Sequence, residues 1–230
     1  MPLGIKDFIA TREAPTTGQS LVFDPSWWAS RDAPAVNRLR RAGGIVLGKT
    51  TMAEHAAGRP DPQRPFPIPR NPWDPRRWTG GSSAGTGNGI AAGIFPAGLG
   101  TDTAGSARIP AAMCGITGFK PTRGLISPEG CLPASPSLDV IGPMARTARD
   151  CAALMSLLAP EAMRDISPAR SLRGIRIGVP WKLVTDPARG VHAECLDAFE
   201  QASAFNSVLR TSHAGTTGTP DSADSAPAGK

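Results

Sequence analysis

Residues 80–121 read GGSSAGTGNGIAAGIFPAGLGTDTAGSARIPAAMCGITGFKP, and this stretch decides how the rest of the chain is to be understood. It holds two serine-bearing glycine clusters, Gly80-Gly81-Ser82-Ser83-Ala84-Gly85 and Thr101-Asp102-Thr103-Ala104-Gly105-Ser106, joined by an apolar segment. Glycine opens backbone dihedrals closed to other residues and lets amide N–H groups approach a ligand closely. Small residues that lead into a helix leave N–H donors free for a negatively charged oxygen. Two such clusters with serines suggest acyl chemistry, where a single Gly-Ser cluster would read as a surface turn.

Working outward, the pattern predicts turn, helix over 84–93, strand over 95–100, turn, short helix over 105–113, and a further strand. Upstream, residues 1–10 begin on a strand-like apolar piece. Asp32 is placed to cap a helix running to Arg41 with Pro34 in its first turn. Ile45-Val46-Leu47 reads as a buried strand, with Gly48-Lys49-Thr50-Thr51 at its C-terminal end, where sites gather in helix-flanked sheets. Residues 58–79 carry seven prolines and read as a long irregular connection. Downstream, residues 127–143 read as loop, 147–159 as an amphipathic helix with a Thr-x-x-Asp start, 174–180 as a strand and 191–209 as a helix. Residues 210–230 contain almost no large apolar side chain and are expected to be disordered. Alternating strands and helices give an α/β class with a mixed, largely parallel sheet flanked by helices.

Composition narrows the function classes. The chain has 230 residues, 40% hydrophobic and 19% charged, with a net charge of +6, ordinary for a soluble globular protein. The arginines are scattered and aromatics are only 5%, so no basic–aromatic stripe indicates nucleic acid. The cysteines at 114, 131, 151 and 195 are too far apart for zinc-type pairs and suggest no disulfide framework. No apolar run approaches spanning length and no signal-peptide core opens the chain, which reads as cytoplasmic with no membrane partner.

Three chemical patterns compete. Gly43 to Thr50 fits G-x-x-x-x-G-K-T, but a helix precedes it and Ile-Val-Leu fills its interior, so a phosphate loop is rejected. Gly81 to Gly85 fits G-x-S-x-G, which would make Ser83 a nucleophile. The preceding Arg76-Arg77-Trp78-Thr79 makes a poor strand and no suitable histidine follows, so the elbow is rejected too. The third arrangement is Lys49, Ser82 and Ser106. A neutral lysine can serve as base for a serine, and burial lowers its pKa towards that state. Lys49 suits the role because it follows an apolar strand.

GGSSAGTG and GTDTAGSARIPAAMCGITGFKPTRG, preceded by GKTTMAEHA, closely resemble the amidase signature family of Ser–Ser–Lys hydrolases. The likeness extends from GIKDFIATREAPTTGQS through RNPWDP and PSLDVIGPMART to LRGIRIGVP, covering most of residues 2–205. It implies the amidase signature fold. Ser106 would attack the amide carbonyl, and Ser82, preceded in the family by a cis peptide bond, would relay the proton to Lys49. The N–H groups of Thr103, Ala104, Gly105 and Ser106 would form the oxyanion hole, while Asp102 and Arg108 brace the nucleophile loop. The substrate would be a small-molecule amide, with no cofactor and no metal, and a homodimer is left open. Ala84 and Ala104 replace common family glycines, which is tolerable if their φ is negative.

Family members extend beyond both ends of this sequence, so the resemblance implies an incomplete amidase domain over residues 1–209. Two alternatives accompany the amidase reading. One is an inactive remnant or interaction module. The other is the amide-cleaving component of a glutamine-dependent tRNA amidotransferase, ranked lower because the loop at 132–139 looks more like general amidases.

Overall fold

The computed structural model describes residues 1–59, 61–164, 176–179, 181, 185–186, 190–205 and 210–213. Contacts divide the chain into two units, Met1–Ile166 and Ser167–Lys230. The first is built on a five-stranded sheet, with β1 (Pro2–Lys6), β2 (Ile45–Thr50), β3 (Ala97–Asp102), β4 (Thr117–Gly118) and β5 (Val140–Ala145) in the order β2-β1-β3-β5-β4. β1 is parallel to both β2 and β3, whereas β5 is antiparallel to β3 and β4. The sheet is therefore mixed, as expected, with its parallel part confined to β2, β1 and β3.

Helices cover both faces, because alternate side chains of each strand point to opposite sides. On one side α1 (Pro34–Arg41) and α4 (Ala148–Leu158) bury Val36, Leu39, Leu154 and Leu158 against Leu3, Ile5, Leu99 and Ile141. On the other, α2 (Ala84–Ala91) and α3 (Arg108–Cys114) close over Phe95 and Met144 through Ile90, Ala107 and Ala111. α2 lies unusually close to the sheet because the strand beneath it has no side chains there. A Cβ on Gly98 would fall 2.3 Å from the Gly4 carbonyl oxygen and 2.9 Å from Thr86. One on Gly100 would fall 2.7 Å from Ser83 Oγ. The glycines thus set the serine cluster directly against β3.

Most predicted elements are present with shifted ends, and two differences have clear causes. β5 occupies part of the stretch expected to be loop; Pro143 tolerates the ladder because its carbonyl still accepts from Phe119 N–H at 3.0 Å. α1 is capped by Ala33 without a side-chain bond. Asp32 instead accepts from Arg12 N–H and pairs with Arg40. α4 starts as predicted, with Thr147 Oγ1 accepting from Asp150 N–H at 3.1 Å. After α4 comes a short α5 (Pro160–Met163).

In the second unit, β6 (Arg176–Val179) pairs in parallel with β7 (Arg210–His213), and α6 spans Ala193–Phe205. β7 takes the first four residues of the stretch expected to be a disordered tail. The rest of that tail, residues 214–230, lies outside the described residues. Among the described residues no helix is long and apolar enough to cross a membrane.

Candidate active site

β1 is an inner strand, so its last residue, Lys6, is fully enclosed. Its Nζ lies 2.6 Å from Ser82 Oγ and 2.6 Å from Thr101 Oγ1. Burial drives the Lys6 pKa down to about 7, against smaller upward pulls from Cys131, Asp102 and Asp139. Near neutral pH a substantial fraction of this side chain is an uncharged amine, able to accept a proton from one hydroxyl while donating to the other.

The expectation placed this role on Lys49, and the structure corrects it. Lys49 lies near the end of β2, on the far side of β1. Its ammonium bonds the Ile9 carbonyl and Thr16 Oγ1 (2.8 Å), and lies 3.5 Å from Asp7 Oδ1. Burial also lowers its pKa, to about 8, but the Asp7 carboxylate opposes that shift. Asp7 in turn accepts from the Thr17 amide and hydroxyl. Lys49 thus ties down the chain that leaves Lys6, and it contacts neither serine of the predicted site.

Ser82 is buried, follows a cis Gly81–Ser82 peptide bond, and offers its carbonyl to Ala53 N–H at 3.2 Å. Its neighbour Ser83 has a different job. Ser83 Oγ accepts from Thr101 N–H at 3.2 Å and reaches the Thr101 carbonyl at 3.3 Å, and its amide donates to the Ser106 carbonyl at 3.1 Å. That last bond joins the two glycine clusters predicted to work together. Ser83, wholly buried, is a structural clasp, consistent with rejection of the elbow pattern.

Ser106 lies in the turn between β3 and α3, and Asp102 organises that turn. Its fully buried carboxylate accepts from the amides of Gly105 (2.8 Å), Ala107 (3.2 Å) and Arg108 (3.3 Å). The Arg108 guanidinium adds Nε and Nη2 bonds of 3.0 Å each. Burial pushes the Asp102 pKa up, but Arg108 and the Gly105 and Ala107 amides together outweigh it and hold the carboxyl below its usual value. Asp102 thus binds both Arg108 and the turn that carries Ser106, an arrangement able to brace that loop. It has a corollary for the predicted oxyanion hole. The Gly105 N–H is already committed to Asp102, whereas those of Thr103, Ala104 and Ser106 have no acceptor among the described residues. Neither Ala84 nor Ala104 has a positive φ, so alanine is accommodated at both.

Besides Lys6, two further participants were missed by the sequence reading. Thr101 Oγ1 is a second hydroxyl on Lys6 Nζ, besides that of Ser82. Asp139 accepts from Thr103 Oγ1 at 2.5 Å while receiving the amides of Ala134 (2.9 Å) and Ser135 (2.8 Å). The loop at 133–139 is thereby pinned to the turn that carries Ser106.

A family profile described as Amidase matches residues 1–211. The chain belongs to the amidase signature family. It is 44% identical over 192 residues to the A-type subunit of glutamyl-tRNA(Gln) amidotransferase from Roseiflexus castenholzii, covering 78% of this chain and 39% of that one. The corresponding protein of Chromohalobacter salexigens is 45% identical over 198 residues, covering 81% and 40%. Among solved structures, the same amidotransferase component from Thermotoga maritima superposes with a TM-score of 0.78 at 34% identity, covering 92% of this chain and 48% of that one. The native peptide amidase of Stenotrophomonas maltophilia gives 0.71 at 31%, covering 93% and 47%. This amidase-family chain spans less than half the length of these relatives.

Proposed function

We propose that the protein cleaves carboxylic amides through an acyl-enzyme on Ser106, with Ser82 relaying protons to and from Lys6. The bond between Lys6 Nζ and Ser82 Oγ carries this reading: a dehydrated amine with a pKa near 7 is placed against the middle hydroxyl. As Ser106 Oγ bonds to the carbonyl carbon, its proton passes to Ser82 Oγ and the Ser82 proton passes to Lys6 Nζ. The carbonyl π electrons move onto oxygen, facing the amides of Thr103, Ala104 and Ser106. When the tetrahedral adduct collapses, the C–N bond breaks and the proton returns through Ser82 to the departing amine. Water then repeats the cycle on the ester. Each aligned amide is worth about 3 kcal/mol to such an oxyanion. A cytoplasmic location and a small-molecule substrate belong to the same reading.

Covalent labelling by a fluorophosphonate probe tests it. Ser106→Ala should abolish labelling, Lys6→Met should slow it about a thousandfold, and Ser83→Ala should leave the labelled residue unchanged. Labelling of a Lys6→Met variant at the wild-type rate would remove Lys6 from the relay.

A second reading, service as the amide-cleaving component of a glutamine-dependent tRNA amidotransferase, is favoured by the identity of the relatives that match over about four-fifths of this chain. Ammonia release from glutamine, dependent on added partner proteins, would support it.

A further inference from the structure

A cavity of about 430 Å³ is walled by Ile126, Cys131, Leu132 and Pro133, with Arg123 and Asp139 among its lining residues. Two sets of bonds fix where it lies. On one side, Ala10 N–H donates to the Gly130 carbonyl at 2.8 Å and Leu132 N–H to the Phe8 carbonyl at 2.9 Å, so this wall is laced to the chain that leaves Lys6. On the other, Asp139 holds Thr103, three residues before Ser106. The cavity wall is therefore tied at one end to the segment bearing the base and at the other to the turn bearing the nucleophile.

Its chemistry is apolar despite the two charges. Both Asp139 oxygens are occupied, Oδ1 by Thr103 and Oδ2 by the Ala134 and Ser135 amides. Arg123 is exposed, with Nε donating to the Pro136 carbonyl at 3.0 Å. Ile126 and Leu132, 5% and 4% exposed, contribute carbon to the lining of the cavity. Its volume falls within the range of small-molecule pockets, which are typically about 300–1,000 Å³.

We infer that this cavity receives an apolar substituent of the amide substrate, so that the enzyme prefers amides with an aliphatic or aromatic arm over short polar ones such as glutamine. The inference deepens the amidase reading and rests on it for the word substrate, but occupancy can be read without turnover.

Calorimetric titration of the full chain with hexanamide and with acetamide provides the measurement. Hexanamide should bind at least about tenfold more tightly, since each buried methylene adds to transfer from water. The preference should persist in Ser106→Ala, where the nucleophile is gone. It should fall to less than about twofold in Pro133→Trp, which fills the cavity from its exposed wall, and survive in Pro133→Ala. Equal affinities for the two amides, or a preference untouched by Pro133→Trp, would overturn the inference. Failure of the Ser106 chemistry would show in probe labelling and leave these affinities intact.

Discussion

Lys6 has a titration behaviour that follows from its surroundings. Its folded pKa, about 7, lies below the 10.5 of an exposed lysine, so the unfolded chain binds the extra proton between those values. Stability must then rise with pH from about 7, by about 1.4 kcal/mol per unit for each such lysine. Lys49 joins from about 8. Below pH 7 both states hold the Lys6 proton and its contribution is flat. Above about pH 9 the thiols of Cys114, Cys131 and Cys151, pushed up by desolvation to about 11, 12 and 11, act in the opposite direction. Urea midpoints from pH 6.5 to 9 should therefore climb, and Lys6→Met should abolish the climb between 7 and 8 and lessen its slope above 8. Probe labelling of Ser106 should rise over the same range with a midpoint near 7. At this scale the glycine clusters drew attention to the serines, whereas Asp102 and Arg108 were named only through the family resemblance. The lysine was not legible. Lys6 and Lys49 both follow apolar strand residues, and a single sequence does not say which strand is inner. The available hint is that Lys6-Asp7 is the lone charged pair in an otherwise apolar run from Leu3 to Ala10.

Among elements, the glycine-floored contact of α2 with β3 is the sharpest constraint. Gly98→Ala would force a methyl group against both the Gly4 carbonyl and Thr86. Neither strand can retreat without breaking the ladder. A loss of about 1–3 kcal/mol is expected from overpacking, read as a lowered urea midpoint. Labelling at Ser106 should fall further than stability does, because the same shift moves Ser82. On the other face, α4 was visible from its amphipathic pattern and from Thr147 and Asp150 at its start. β5 was hidden, since Ser, Pro and Gly around Val140-Ile141 read as turn chemistry. What makes it a strand is tertiary: β3 and β4 lie on either side to pair with it.

At the level of the whole Met1–Ile166 unit, β2 forms an edge of the sheet, and its outer surface is apolar. Ile45 and Leu47 are 60% and 55% exposed, and Leu47 falls at a break in the β1–β2 register. Open edges of this kind invite pairing between chains. Replacing both residues by lysine should shift light-scattering mass towards monomer while leaving the labelling rate of Ser106 within about twofold.

That edge lies one strand away from the proposed base. Asp7 N–H donates to the Thr50 carbonyl at 3.0 Å, and Lys49 grips the chain just beyond. Peeling of β2 alone would let solvent reach the amine at position 6, restore its ordinary alkaline character, and leave it cationic at neutral pH. A thermally frayed rim would silence the proposed relay while most of the backbone still stood, so loss of Ser106 labelling on heating should precede the loss of helical signal.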